Sequence, residues 1–416
     1  MKVSEVFVAG GLPTITYNPR DNLNLEHQLK DYISTGYKLL SLTGPTKSGK
    51  TVLCQKGIPE SQRIWVTGGA IKREDDFWDT VAYELGNVYD EIHTSTITGS
   101  STSGNMSADG TINFGVIQVG IKKGDEQSKS KEKSTTVMQS RQKRSIVIDQ
   151  LLKSNTVLVI DDFHYIDKDL QTRLIRTLKD PIFKGLRVIV IAVPHRSYDA
   201  VRAEVEMTGR VQQLKIQLWN PLELKQIGKQ GFTSLNLDFS DELLEKLSVE
   251  SYGSPYLMQE FCQRLCKRKG ILETQTNKVA VTIDEYSPFY KELVNEIASK
   301  VAFERLARGP TQRTDRIKRT LKTGKEVDIY TAILHAIAYT GPLPEITYEQ
   351  LRSALKAVMQ SEPPQAHEVT QVITRMVDIA KEIEGEPVLD WDKDTRILYV
   401  SDPFFSFYLK WAVKEN

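Results

Sequence analysis

The segment Gly44–Thr51, with the sequence GPTKSGKT, is the clearest candidate for a functional site. It matches the pattern G-x-x-x-x-G-K-[ST] and lies between a run typical of a buried strand, residues 38–43, and a predicted helix. In this pattern backbone N–H groups surround phosphates, the Lys50 ammonium reaches the β- and γ-phosphate oxygens, and the Thr51 hydroxyl ligates Mg²⁺. We therefore predict a nucleotide site with ATP and Mg²⁺ as cofactors; the alternative is a glycine-rich turn alone. The predicted nucleotide-binding residues of this P-loop are Gly44, Pro45, Thr46, Lys47, Ser48, Gly49, Lys50, Thr51 and Val52.

Two adjacent carboxylates form the second half of such a site. Asp161 and Asp162 end a β-branched run, residues 156–160, that is typical of a buried strand. We predict that Asp161 holds Mg²⁺, directly or through water, and that Asp162 orients and deprotonates the attacking water. The alternative for Asp162 is structural, since Asp also caps helix amino termini. An insertion rich in Ser, Gly and Lys, residues 93–143, explains the long spacing from Lys50 to Asp161.

The surrounding elements predict an α/β fold, a P-loop NTPase with a parallel sheet covered on both faces. Strand-like runs alternate with helical patterns up to residue 219, which favours parallel strand order, and the pattern is helical only from residue 220. The strand-like runs are residues 38–43, 63–67, 156–160, 187–192 and 213–218. We predict four parts: an NTPase domain at 1–219, a helical lid at 220–304, a basic linker at 305–325 and a winged-helix domain at 326–416.

The predicted winged-helix domain is acidic, with eight basic and fifteen acidic residues and a net charge of −7. Residues 388–400, turning at Asp392–Asp394, form the predicted wing. Because phosphate binding needs Lys and Arg, this charge favours a protein-contact or autoinhibitory role over DNA binding. The linker has eight basic residues and one acidic residue, hence +7. Three alternatives stay open for it: a solvated linker, docking on an acidic surface, and nucleic-acid tracking.

The double Asp followed by Phe-His, together with Gly253–Ser254–Pro255–Tyr256, resembles the STAND signalling ATPases and the related origin-recognition-type AAA+ ATPases. The resemblance implies a lid in which Gly253 and Pro255 contact the nucleotide and report its state, followed by a winged helix. It also implies that Tyr17 and Arg20 lie beside the adenine. Without the family, the same Gly-Ser-Pro is a helix stop and restart.

Two further candidates come from placement along the chain. His195 or Arg196 follows a strand-like run, where the related ATPases place a polar sensor of the γ-phosphate; the alternative is a solvated strand end. Arg210 precedes the last strand-like run, a position that resembles the arginine finger of AAA+ proteins. There its fixed charge would stabilise the transferred phosphoryl group of a neighbour's nucleotide, which implies a homo-oligomer. The alternative for Arg210 is a solvated surface side chain.

Composition and charge exclude several classes of protein. Lys and Arg total 55 against 54 Asp and Glu, so no global charge draws the chain to nucleic acid or a membrane. The apolar runs are far shorter than the ~18 residues of a membrane span, and no signal-peptide core is visible, so we expect a cytoplasmic protein. The three cysteines lack metal-ligand spacing, and we expect buried thiols.

Together these observations favour an ATP-driven switch with slow hydrolysis. Its nucleotide state would set the position of the lid and winged helix, and would control self-assembly and the action on a separate effector partner. A role in bacterial defence or regulation is suggested by analogy with the STAND ATPases. The alternative is a nucleic-acid-loading AAA+ ATPase of origin-recognition or transposition-regulator type. A third hypothesis is a nucleotide-locked scaffold that does not hydrolyse ATP.

Overall fold

The computed structural model describes residues 1–86, 143–193, 209–296, 298–310, 316–383 and 387–414. The chain divides into two compact units. The sheet unit comprises residues 26–43 and 54–215, and the P-loop unit comprises residues 1–25, 44–53 and 216–416. The predicted insertion lies outside the described residues except at position 143. In the described part of the chain, no helix is long and apolar enough to cross a membrane.

The sheet unit is built on a five-stranded parallel sheet. Its strands are β1 (Leu39–Thr43), β2 (Arg63–Thr67), β3 (Val157–Asp161), β4 (Arg187–Ala192) and β5 (Val211–Lys215). They lie in the order β2-β3-β4-β1-β5, and every pair is parallel. All five residues of β1 and of β3 are buried, as expected for strands covered on both faces. This sheet confirms the predicted α/β P-loop fold.

Strand β5 begins two residues and ends three residues earlier than the run 213–218 predicted. Its pairing with β1 ends at Thr43 and Lys215, because β1 stops where the P-loop begins. The chain beyond Lys215 leaves the sheet and passes close to the P-loop: a Cβ on Gly44 would lie 2.7 Å from the carbonyl oxygen of Ile216. Ile216, which extended the predicted strand, therefore packs against the P-loop and does not continue β5.

Helices alternate with these strands. They are α1 (Val3–Val6), α2 (Leu25–Thr35), α3 (Lys50–Gly57), α4 (Glu74–Glu84), α5 (described over 143–154) and α6 (Lys168–Phe183). The Tyr32 hydroxyl of α2 donates to the Val188 carbonyl at 2.7 Å, which fixes this helix on β4. Helix α6 begins after Asp167, whose carboxylate accepts the N–H groups of Asp169 and Leu170. Side-chain hydrogen bonds and capping thus position α2 and α6 in the sheet unit.

The P-loop unit is mostly helical. Its next helices are α7 (Pro221–Ser234), α8 (Asp241–Glu250), α9 (Pro255–Arg268), α10 (Tyr286–Glu296) and α11 (Ser299–Arg308). Val3 and Phe7 from the N-terminus and Phe407 and Trp411 from the C-terminus share one buried core with these helices. The helical-only expectation for this region is corrected in one place. β6 (Leu237–Asp238) and β7 (Val279–Ala280) form a short parallel pair, because the segment that follows α7 runs beside the segment that precedes α10.

The C-terminal region continues with a basic segment that is not a free linker throughout. Residues 305–308 belong to α11, and β8 (Arg319–Thr320) pairs with β9 (Glu326–Val327). There follow α12 (Ile329–Tyr339), β10 (Glu345–Thr347), α13 (Tyr348–Val358), α14 (Ala366–Glu382), β11 (Leu389–Asp392), β12 (Ile397–Val400) and α15 (Pro403–Tyr408). The strand order β10-β12-β11 and the hairpin after two helices are compatible with the predicted winged helix.

Candidate nucleotide-binding site

The P-loop leaves β1 and turns sharply before α3 begins at Lys50. Lys47 and Gly49 have positive φ angles of 55° and 94°, and for Gly49 the absence of a side chain removes the strain. Gly44 is closely packed, since a Cβ there would lie 3.1 Å from the Ser48 Oγ and still closer to the Ile216 carbonyl. The backbone therefore has the tight, glycine-dependent shape that a phosphate-binding loop requires.

The side chains of the P-loop fit an anionic ligand. Lys50 is 8% exposed, and its Nζ donates to the carbonyl oxygens of Gly44 at 2.9 Å and Pro45 at 2.8 Å. The Ser48 Oγ is buried without a hydrogen-bond partner among the described residues. The buried ammonium, which donates to neutral carbonyls, would form stronger, charge-assisted hydrogen bonds with phosphate oxygens. The buried hydroxyl would gain the hydrogen-bond partner that it lacks among the described residues. The residues present thus fit the phosphates of a nucleotide.

The two predicted carboxylates lie at the carboxyl edge of the sheet, within the sheet unit. Asp161 is 7% exposed, pairs with Thr67 of β2, and accepts the Asp162 N–H through Oδ1 at 2.9 Å. Asp162 has a φ of 53° and stands before the 3₁₀ turn Phe163–Tyr165, but its side chain makes no capping bond to that turn. Asp162 therefore occupies the N-cap position of this turn, but its carboxylate does not cap the turn.

The environment of Cys54 links Asp161 to helix α3. Burial raises the pKa of the Cys54 thiol well above its ordinary value, the Asp161 carboxylate raises it further, and Arg63 lowers it. A thiol kept protonated in this way is a poor nucleophile and a poor metal ligand. Cys54, Cys262 and Cys266 are all buried and free, as the sequence predicts.

Gly68 is a residue of this edge that the sequence analysis missed. A Cβ on Gly68 would lie 2.3 Å from the Asp162 carbonyl oxygen and 3.2 Å from that of Asp161. The backbone that presents both carboxylates is therefore packed directly on Gly68. The available signal was the Gly-Gly pair immediately after β2.

We expect Gly68→Ala to lower the free energy of unfolding by about 1–3 kcal/mol, because the added methyl must displace the backbone of Asp162. Gly69→Ala is the matched control, since a Cβ at Gly69 meets nothing within 4 Å and should change stability by less than ~0.5 kcal/mol. Chemical denaturation of both variants measures the difference. Equal effects of the two substitutions would contradict the close approach at Gly68.

Arg20, predicted to lie beside the adenine, is held by protein groups. Its guanidinium pairs with Glu223 at 2.9 Å and donates to the Gln217 carbonyl at 2.8 Å and the Leu218 carbonyl at 3.1 Å. Burial alone would raise the pKa of Glu223, but the hydrogen bond from Arg20, the Asn220 N–H and the Arg20 charge hold it below its usual value. Through its ion pair with Glu223, Arg20 therefore anchors the N-terminal segment to the first turn of α7. Tyr17 lies in the same segment and is half-buried; contacts of both residues with a base stay a prediction.

Gly253 and Pro255 stand where α8 ends and α9 begins. Gly253 has a φ of 70°, and a Cβ there would lie 3.1 Å from the Leu218 side chain and 3.3 Å from the Trp219 carbonyl oxygen. Pro255 is in the first turn of α9, after the N-cap Ser254. The helix stop and restart is thus present, and Gly253 also lets the lid approach the chain that follows β5. Contact of Gly253 and Pro255 with nucleotide stays a prediction.

Lys47 makes a contact that the sequence did not indicate. Its Nζ lies 2.8 Å from Asp402 Oδ1, across 355 positions of sequence, and 4.2 Å from the centre of the Phe404 ring. Phe404 in turn packs edge-to-face on Tyr256 of α9 at 5.0 Å. The C-terminal region therefore touches both the P-loop and the lid.

Arg210 lies at the amino-terminal edge of the sheet, opposite to the edge that bears Asp161. It immediately precedes β5, its carbonyl accepts the Leu39 N–H at 2.9 Å, and its guanidinium lies 5.2 Å from the Phe183 ring centre. Arg210 is thus placed away from the carboxylates of its own sheet. The sensor candidates His195 and Arg196 lie outside the described residues.

Comparisons with solved structures identify the fold. No protein-family model matches the sequence, and no curated protein matches it. A Walker-type ATPase of Pyrococcus abyssi matches with a TM-score of 0.52 at 13% identity, over 95% of this chain and 99% of that chain. The ORC2 protein of Aeropyrum pernix gives a TM-score of 0.48 at 12% identity, over 99% and 98% of the two chains. A STAND protein of Pyrococcus horikoshii with a tetratricopeptide repeat sensor gives 0.37 at 12% identity, over 92% of this chain and 41% of that one. The chain has the fold of a Walker-type P-loop ATPase.

Proposed function

We propose that this protein is an ATP-dependent molecular switch in which nucleotide at the P-loop sets the position of the lid and the C-terminal domain. The observation that carries this proposal is the ion pair between Lys47 and Asp402. A triphosphate offers Lys47 several anionic oxygens in place of one carboxylate. ATP therefore competes with Asp402 for Lys47 and loosens the hold of the P-loop on the C-terminal region.

Slow hydrolysis resets the switch in this proposal. Lys50 and the backbone N–H groups of the P-loop bind the phosphates, and Thr51 and Asp161 supply oxygen ligands for Mg²⁺. Bound Mg²⁺ neutralises charge on the phosphate oxygens. Asp162 orients the attacking water and accepts its proton. The place of Arg210 at the opposite edge of the sheet supports a role in trans, on the nucleotide of a second copy in a homo-oligomer.

Ion pairs between the basic segment and the acidic C-terminal domain support a held, inactive arrangement. Arg316 pairs with Asp328, Arg319 with Glu368 at 3.2 Å, and Arg305 with Glu382 at 4.0 Å. These pairs favour docking on an acidic surface among the three alternatives for this segment. They occupy arginines that nucleic-acid tracking would need, so we do not favour a nucleic-acid-loading ATPase. We assign the output to a separate effector protein or to self-assembly.

Asp402→Asn should strengthen ATP binding by about two- to fivefold, because it removes the carboxylate that competes for Lys47, a pair worth ~0.5–1 kcal/mol. Asp402 is also the N-cap of α15 and accepts the Phe404 N–H at 3.1 Å. Asn caps equally well, so the helix itself should be retained. Isothermal titration calorimetry with a non-hydrolysable ATP analogue measures the effect.

Asp394→Asn is the control, because it makes the same charge change on the exposed wing turn of the same domain. It should leave the affinity unchanged. An unaltered affinity in Asp402→Asn, or an equal gain in both variants, would count against competition for Lys47 and against the switch built on it.

A further inference from the structure

Trp219 lies between β5 and α7 and contacts three separate segments of the P-loop unit. Its indole N–H donates to the Ser48 carbonyl of the P-loop at 2.8 Å. Its backbone N–H donates at 3.2 Å to the carbonyl of Gly253, which lies in the lid between α8 and α9. The Arg20 guanidinium lies 4.8 Å from the centre of its ring. The half-buried side chain of Trp219 thus contacts the P-loop and the N-terminal segment, while its backbone is bonded to the lid.

The surroundings of Trp219 fix its position from two sides. The stacked guanidinium of Arg20 is itself held by Glu223 and by the carbonyls of Gln217 and Leu218. On the other side, a Cβ added at Gly253 would lie 3.3 Å from the Trp219 carbonyl oxygen, so the two backbone segments are closely packed there. The indole N–H is therefore presented to the P-loop in a set direction.

The bond to Ser48 has a direct effect on phosphate binding. A trans peptide is planar, so its C=O and the following N–H point in opposite directions. An indole that holds the Ser48 carbonyl therefore also holds the Gly49 N–H, which points to the other side of the loop. Loop N–H groups are the donors that phosphates need. A movement of the lid that displaces Trp219 would release this peptide.

We infer that Trp219 is a positioning residue for nucleotide: its indole N–H fixes the Ser48–Gly49 peptide, so that phosphate affinity depends on the lid and N-terminal segment that hold the indole. This inference rests on the proposed binding of ATP at the P-loop. It concerns the ground-state binding of phosphates and not the chemical step. Loss of the bond should therefore raise the Kd and KM for ATP and leave kcat unchanged.

Trp219→Phe tests the inference, because phenylalanine keeps a ring for Arg20 and removes the indole N–H. A net loss of one hydrogen bond should weaken binding of a non-hydrolysable ATP analogue about three- to tenfold. We expect an unchanged kcat and a Tm within about 3 °C of wild type. Trp391→Phe is the matched control, since the buried Trp391 indole N–H has no hydrogen-bond partner among the described residues. It should leave the Kd unchanged.

Three outcomes would overturn the inference. They are an unchanged Kd in Trp219→Phe, a reduced kcat with the same KM, and a variant that fails to fold, which would give Trp219 a structural role. Absence of analogue binding by the wild type would instead overturn the proposed function. The two failures are therefore distinguished by the wild-type titration alone.

Discussion

Lys50→Ala is expected to abolish ATP binding, with a loss of affinity of about 100-fold or more. The Lys50 ammonium is the buried positive charge of the P-loop and donates to two loop carbonyls. Charge-assisted hydrogen bonds to phosphate oxygens are each worth ~1.5–3 kcal/mol, and alanine removes them together. Calorimetric titration with a non-hydrolysable ATP analogue measures the loss.

Lys56→Ala is the control for this substitution, because Lys56 lies in the last turn of the same helix, α3. It removes an equal charge and should retain the wild-type affinity. A Lys50→Ala protein that still binds the analogue tightly would count against the whole nucleotide site.

Asp162→Asn is expected to keep ATP binding and to lower the rate of hydrolysis by about 10²–10⁴-fold, the usual contribution of a general base. Asparagine has the same shape as aspartate and tolerates the left-handed backbone that Asp162 adopts, with φ at 53°. The substitution should therefore leave the edge of the sheet intact. Single-turnover and steady-state ATPase assays, together with a Kd, separate chemistry from binding.

Asp167→Asn is the control for Asp162→Asn. Asp167 is the N-cap of α6, where asparagine is an equally good cap, so both binding and hydrolysis should remain as in wild type. Equal turnover in Asp162→Asn and the wild type would remove Asp162 from the proposed chemistry.

Local patterns predicted the sheet and the loop well, because the forces that form them are local. The strand-like runs at 63–67 and 187–192 coincide with β2 and β4. The central strand β4 is almost wholly buried and has a continuous apolar run, whereas the edge strand β2 alternates buried and partly exposed residues. The GPTKSGKT motif likewise predicted a tight turn between β1 and α3. Strand β5 was misplaced, because its end depends on where its partner β1 stops.

The contacts that join distant segments were not predictable from a single sequence. Lys47 and Asp402 are separated by 355 positions, and no local pattern relates one to the other. Trp219 was missed for the same reason, because its inferred positioning role depends on contacts with the P-loop, the lid and the N-terminal segment. Gly68 is an intermediate case: its Gly-Gly pair was visible, but the carbonyl that it packs against was not.

The partners of Arg20 are also formed only by the folded chain. The resemblance assigned Arg20 to the base, whereas its described contacts are with Glu223 and two carbonyls. No pattern in the N-terminal sequence indicates that Glu223 is the partner of Arg20. The buried pair needs the folded chain to bring α7 beside the segment, so only the three-dimensional arrangement reveals it.

Hydrogen–deuterium exchange of residues 402–408 is the measurement that tests the switch most directly. These residues comprise Asp402 and α15, and they contact the P-loop through Lys47. Saturation with a non-hydrolysable ATP analogue and Mg²⁺ should speed exchange in this segment of the wild type, because the triphosphate displaces Asp402 from Lys47. The Lys50→Ala variant should show no change. Identical exchange with and without the analogue, under conditions where calorimetry shows the wild type to be saturated, would contradict the account.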